Sequence, residues 1–490
     1  MQLTASADAP LRNASRTPKS ETSALLSEEG LANAAPDAWA EWRSLLTLSG
    51  PVIFTLLMEY LPCLTNVVLV GQMDSPQTKA FVDAASISGM YLNITSISVG
   101  LGMATAMDTL CTQAYGAGQV RKFGVYLQSA LLSVGLILIP VFVLDWFAED
   151  VLLALGQDPE ISALAGVFTR YTTLGLPFLF FYELVKKLLQ AHNIVVPMAL
   201  MTVASNVLHV VVGYYLTNHT SLGFYGAGLA RSLSYVALPL MMVPYFCYNP
   251  IHRQWNLRCN YAEALAHLPE VFAFGIPGML MMMMEWTAFE LLTLFTGLMD
   301  DPMVTIGVNS ILMNVVSIVY MIFMGISVAV NIRIGNMLGA NKPYHAKLIM
   351  AMGYGLTCVC VLFTVSGIYF GRFIIPSFFL HDPEVTSRAS TALLFLLPCH
   401  FIDALNGNSQ GVLRAMGHQQ VATYVNAGAF YLVGIPMAAL CAFYFDLSVE
   451  GLWAGFTTGP LVACSIYLTL LSRVNWNEVA AEAVYRAETD

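Results

Sequence analysis

The sequence predicts an all-α integral membrane protein with twelve transmembrane helices in two six-helix, pseudo-symmetric lobes. Three observations carry that prediction. Of the 490 residues, 57% are hydrophobic and only 11% are charged, against about 25% charged in soluble domains. Apolar runs close to the ~20 residues that a helix needs to cross a bilayer recur along the chain. The second half of the chain also repeats a residue pattern of the first.

In order, the runs fall at 50–71, 86–107, 124–145, 163–186, 196–216, 225–247, 271–298, 305–330, 347–370, 390–412, 421–445 and 449–471. They are continuous and long, so they read as helices, because a transmembrane strand shows only about ten residues of alternating character. Pro51, Pro177, Pro277, Pro398 and Pro436 fall within runs and predict kinks, since proline frees backbone carbonyls. Loops after even-numbered runs hold ten Lys and Arg, among them Arg121, Lys186, Lys187, Arg333 and Arg414; the odd side holds five, among them Arg170 and Arg231. That bias puts both termini in the cytoplasm. The sequon Asn218-His219-Thr220 then lies on the non-cytoplasmic side, where glycosylation occurs.

Outside the runs, residues 1–43 and 472–490 are rich in Ala, Ser, Thr and acids, and together carry −4 of the net charge of −10. Both read as disordered cytoplasmic tails, and neither offers a basic surface for nucleic acid. No apolar region precedes residue 45, so a cleavable signal peptide is not expected. Glu21-Thr22-Ser23-Ala24-Leu25-Leu26 is similar to the dileucine sorting signals of endosomal, lysosomal or vacuolar cargo, which leaves the plasma membrane and the vacuolar or lysosomal membrane both open. Residues 248–270 form the longest polar interruption and read as a cytoplasmic inter-lobe linker, with Trp255 and Tyr261 as candidate interfacial anchors. None of the nine cysteines has metal-ligand spacing, so free thiols and no metal are expected.

The repeat defines the lobes. Pro51, Glu59, Gly71, Met73 and Asp74 return 226 residues later as Pro277, Glu285, Gly297, Met299 and Asp300. Gly102, Gly116 and Ala117 return as Gly325, Gly339 and Ala340, and Asp158-Pro159-Glu160 returns 224 residues on as Asp382-Pro383-Glu384. Asn206 matches Asn426, and Gly228-Leu229 matches Gly451-Leu452. Residues 44–247 and 271–471 are therefore two copies of one six-helix unit. Six is even, so the copies enter the membrane in the same sense, as parallel repeats with a binding site between them.

Within run seven, MLMMMMEWTAFELLTLFTGLM, Glu285 and Glu290 have no Lys or Arg to neutralise them between Arg258 and Arg333. Intramembrane acids are functional by default. An ionised carboxylate in low-dielectric surroundings is costly, so a cation and a proton compete for it, which is what cation/proton exchange needs. Five residues at ~100° each set the two acids about 140° apart around the helix. Glu59 is the pseudo-symmetric partner of Glu285. Trp286 and Phe289 can stack on a planar cation, although packing is the commoner fate of such rings. Asn206 and Asn426 supply amides at mid-membrane, for a ligand or as interhelical glue. Glu183 precedes Lys186 and Lys187 by three and four residues, the spacing of an ion pair at a helix end.

Four stretches resemble eukaryotic members of the multidrug and toxic compound extrusion family. They are Asp108-Thr109-Leu110-Cys111-Thr112-Gln113-Ala114-Tyr115-Gly116-Ala117, Glu285-Trp286 with Phe289-Glu290-Leu291-Leu292, Arg333-Ile334-Gly335-Asn336 with Leu338-Gly339-Ala340, and Gly411-Val412-Leu413-Arg414-Ala415-Met416-Gly417. The resemblance implies a central V-shaped cleft and exchange of organic cations for protons, or for sodium in some branches, by alternating access. It assigns coupling to carboxylates on helices seven and ten, here Glu285, Glu290 and Asp403. His400, close to Asp403 in the sequence, reads first as a hydrogen-bonded core histidine, with a proton relay or substrate contact as the other reading. The first-helix aspartate of prokaryotic relatives falls on Asn66, which takes up no proton and stands as a candidate substrate contact.

These readings converge on a monomeric secondary antiporter that exports organic cations, drugs or metabolites in exchange for protons, needs no cofactor and is not an enzyme. A citrate-type anion exporter, a sodium-coupled exchanger and a lipid-linked-sugar flippase share the architecture; a channel or receptor is the different-class alternative. Neither a G-x-x-x-x-G-K-[ST] loop nor an H-E-x-x-H pair occurs to support ATP drive or intramembrane hydrolysis.

Overall fold

The computed structural model describes residues 37–488 except 259 and 381, so the Glu21–Leu26 segment and Cys259 lie outside the described residues. Twelve spans follow one another: Ala38–Gly71, Thr78–Gly116, Val120–Trp146, a bent pair of Pro159–Thr173 and Leu176–Ala191, Val196–Asn218, Phe224–Tyr248, Leu268–Thr296, Pro302–Gly339, Pro343–Gly371, Pro383–Met416, Gln419–Tyr444 and Ser448–Ser472. They are numbered 1 to 12 below.

The two copies begin spans 4 and 10 alike. Asp158 accepts from the backbone N–H of Glu160 and Ile161, and Asp382 from those of Glu384 and Val385. Each caps a helix whose next residue is proline, tolerated there because the first-turn N–H has no intrahelical partner. Beyond the caps the copies diverge. Span 4 bends by 47° between Thr173 and Leu176, whereas span 10 continues through Pro398 to Met416. Pro177 sits in the first turn of the second half-helix, so it starts a helix instead of kinking one.

Several helices outrun their apolar stretches, because polar ends find partners in the other lobe. Span 1 starts at Ala38, with Asp37 capping the N–H of Trp39 and Ala40, which moves the expected tail boundary back from residue 43. Glu41 then accepts from Arg333 Nη2 of span 8 at 2.6 Å and meets His345 Nδ1 at 3.0 Å. Arg333 is thus a helical, paired residue and not a loop cation.

The expected disorder of the 472–490 tail is also corrected, over residues 476–488. Trp476–Glu488 is a helix that buries Trp476, Val479, Ala480, Ala483 and Ala487, the 3–4 residue spacing of an amphipathic face. It lies against spans 2, 8 and 9, and Arg486 Nη1 donates to Gln113 Oε1 at 2.6 Å with its guanidinium 5.1 Å from the Phe274 ring. Burial lowers the Arg486 pKa from its ordinary value. In the linker, Trp255 is 1% exposed and donates to His192 Nε2 at 2.9 Å. It packs beside Phe123 and Phe246, an interior anchor instead of an interfacial one, whereas Tyr261 is exposed.

Span 1 packs along span 8 and span 2 along span 7, so the lobes meet through symmetry-related pairs. Glycine makes the approach possible: a Cβ on Gly102 would meet the Met279 backbone, and one on Gly335 would meet the Thr112 side chain. Both contacts fall toward the end of the lobes where span 1 begins and the Trp476–Glu488 helix docks.

Candidate substrate and coupling site

Spans 1, 2, 4, 5 and 6 of the first lobe face spans 7 and 8 of the second across a cavity of about 290 Å³, near the lower end of pocket sizes for small organic molecules. Its walls are mainly apolar. On span 2, the helix widens to a π turn at Asn93–Ile97, and Asn93, Ile94 and Ile97 reach the cavity. Such turns insert a residue and re-aim side chains.

Span 7 supplies the second-lobe wall, with Glu285, Trp286, Phe289 and Glu290 all lining the cavity. Glu285 is 4% exposed and accepts from the Tyr320 hydroxyl at 3.1 Å and from Gln410 Nε2 at 3.2 Å. Glu290 is half-buried and has no hydrogen-bond partner among the described residues. Phe289 also packs edge-on against Phe456, with centroids 5.1 Å apart. A smaller pocket of about 10 Å³ runs from Glu285 past Gln410 to Ser327 and Arg414, room for about one water molecule. Arg414 is buried in span 10 and donates to Ser327 Oγ at 3.3 Å, so it too is no loop cation.

Asp403 is 5% exposed and off the cavity wall, on span 10. It precedes Gln410 by seven residues, two turns of the same helix face, and its Oδ1 has no protein partner among the described residues. His400 meets Thr364 Oγ1 at 3.0 Å against the Phe323 ring. Asn66 meets His209 Nε2 at 3.0 Å, and Asn426 accepts from Tyr467 at 2.6 Å. These three are engaged in interhelical bonds and lie off the cavity wall, whereas Asn206 lines it while donating to the Met58 carbonyl at 2.7 Å.

Glu59 lines the first-lobe wall, but its carboxylate is taken. Lys186 Nζ lies 2.8 Å from Glu59 and 2.7 Å from Glu183, and its side chain is 4% exposed. Lys187 pairs with Asp108 at 2.8 Å. The spacing predicts the ion pair that Glu183 makes with Lys186; what it does not show is that Lys186 is buried and that Lys187 pairs with Asp108 instead, and a buried ammonium is tolerated only with close acids. The repeat held a signal for this. At the 224-residue offset of the Asp158 and Asp382 caps, Lys186 corresponds to Gln410. One pair of pseudo-symmetric positions thus holds carboxylate and ammonium in the first lobe, carboxylate and amide in the second. Sequence reasoning also missed Tyr320 and Arg231, the latter a cation on the cavity wall inside run six.

With this geometry in place, comparison with known proteins is informative. The MatE family model matches residues 51–215 and 277–440, one match per lobe. The chain is 30% identical over 457 residues to multidrug and toxin extrusion protein 2 of Mus musculus, covering 92% of this chain and 78% of the relative. It is 32% identical over 457 residues to Protein DETOXIFICATION 16 of Arabidopsis thaliana, covering 92% and 91%. The crystal structure of the eukaryotic MATE transporter AtDTX14 superposes with a TM-score of 0.87 at 28% identity, covering 92% of this chain and 99% of that one.

Proposed function

Because this chain belongs to the multidrug and toxin extrusion (MatE) family of multi-pass membrane transporters, we propose that it is a secondary antiporter exporting organic cations, drugs or metabolites in exchange for protons by alternating access. The observation that carries this reading is the environment of Glu285: a buried carboxylate at the cavity, held by an amide and a phenol with no ammonium or guanidinium within ion-pair distance among the described residues. Neither donor cancels the charge, so either a proton or a substrate cation can do so. Glu290 adds a second acid on the same wall, and Asp403 lies behind it on the helix that carries Gln410. The apolar walls suit varied organic bodies, and the thioethers of Met313, Met321 and Met324 on them adapt to different shapes.

With both termini cytoplasmic, the end closed at Gly102 and Gly335 faces the cytoplasm, and export requires those contacts to part after release. The chain acts as a monomer, since the cavity is complete within it. The test is accumulation. Reconstituted into liposomes made acidic inside, the protein concentrates the fluorescent dication 4',6-diamidino-2-phenylindole above its outside level, and nigericin abolishes the gain. Flux that only runs downhill, or that follows an imposed sodium gradient instead, contradicts the reading.

A further inference from the structure

Arg231 is the one cation on the wall of the large cavity among the described residues, and with the buried Arg414 it lacks the carboxylate that the other interior cations have. Lys186 has two carboxylates, Lys187 has Asp108 and Arg333 has Glu41, each within ion-pair distance. Arg231 lines the cavity from span 6 and has no carboxylate within that distance among the described residues. Its Nε donates to the Tyr235 hydroxyl at 2.9 Å, and its guanidinium centre lies 4.7 Å from the Tyr235 ring. Those contacts fix the plane of the group but use one of five N–H donors. The other four have no protein acceptor among the described residues.

A fixed guanidinium with free donors in an apolar cavity matches a carboxylate, which it can bind with two parallel N–H bonds. The opposite wall carries the reverse charge. Arg231 of span 6, Cys63 of span 1 and Glu290 of span 7 line the same cavity, with Trp286 and Phe289 beside Glu290. Resting on the exchanger reading above, we infer that Arg231 is an anion-binding subsite and that the cavity takes zwitterions, the cationic end toward Glu290 and Glu285 and the carboxylate on Arg231. A simple polyanion fits less well. Arg231 is the one cation on the cavity wall among the described residues, while Glu285 and Glu290, with no cation within ion-pair distance among those residues, would both face the anion.

The experiment compares two probes of one shape, benzyltrimethylammonium and its para-carboxylate, in acid-loaded proteoliposomes. Wild type takes up both. In Arg231→Gln, which keeps a donor for Tyr235, the KM for the carboxylate rises about tenfold or more, while that of the plain cation stays within twofold, and Arg231→Lys restores part of the difference. Equal loss for both probes makes Arg231 a structural residue and overturns the subsite, as does no loss for either. Wild type that carries the plain cation but excludes the carboxylate overturns the subsite and leaves the exchanger; wild type that carries neither overturns the exchanger and the subsite with it. Should Arg231→Gln not fold, wild type still decides: the carboxylate must compete for uptake of the plain cation at least as well as the unlabelled cation does, and weaker competition overturns the inference.

Discussion

At the scale of single residues, the acids were legible and their partners were not. Glu285 and Glu290 announce themselves as charges in a long apolar stretch, a purely local signal. Gln410 lies 125 residues from Glu285, and nothing local marks an amide as the group that will face an acid. Asp145 was missed for a related reason: it falls at the edge of run three, where an acid reads as the polar end of a helix. In the structure it is fully buried and accepts from Thr95 at 3.0 Å, Ser96 at 2.6 Å and Thr173 at 3.0 Å. Asp145→Ala strands three hydroxyls and is expected to cost about 3 kcal/mol, read as a lower thermal midpoint in detergent; a midpoint within error of wild type would deny the cluster its role. His192 gives a pH dependence outside the spans. Burial lowers its pKa from 6.5 to about 4, and its Nε2 accepts from Trp255. The unfolded chain therefore binds a proton between those values that the native state refuses, so this stability is complete above about pH 6.5 and is lost as pH falls toward 4. Acid lability between pH 7 and 5 should shrink in His192→Gln, and an unchanged profile would assign the lability elsewhere.

At the scale of elements, hydropathy located the spans because each buries or exposes to lipid an apolar length of bilayer thickness. It failed where helices are stabilised by something else. Spans 1, 8 and 10 extend past their apolar stretches through Glu41, Arg333 and Arg414, which inter-helix pairing makes affordable. The Trp476–Glu488 helix has too many charges for a hydropathy window, yet Trp476, Val479, Ala480, Ala483 and Ala487 mark its face in the sequence. Composition outweighed that periodicity and led to the reading of a tail. Trp476→Ala removes the largest side chain of this face, a loss of about 3 kcal/mol at a buried aromatic, enough to undock so short a helix. Hydrogen exchange of residues 476–488 should then rise to the rate of an unprotected segment, and retained protection would mean that Arg486 and its bond to Gln113 hold the helix alone.

At the scale of the whole molecule, the duplication was legible in paired residues, and it explains why one lobe differs from the other. Two copies of one unit started with equivalent positions facing a carboxylate. In the first lobe that position is Lys186, and Glu59 is held in an ion pair shared with Glu183. In the second it is Gln410, and Glu285 has no cation within ion-pair distance among the described residues. The symmetry that the sequence displays at Glu59 and Glu285 is thus broken at their partners, which register alone could have paired but only packing shows in contact. The most direct test gives the second lobe the partner of the first, by measuring pH-driven accumulation of an organic cation in Gln410→Lys beside Glu285→Gln. Both variants are expected to fold and reach the membrane yet lose accumulation to the level of empty liposomes, the lysine by occupying the carboxylate and the amide by deleting it. Accumulation in either variant equal to wild type would contradict the claim that the unneutralised Glu285 couples proton to substrate.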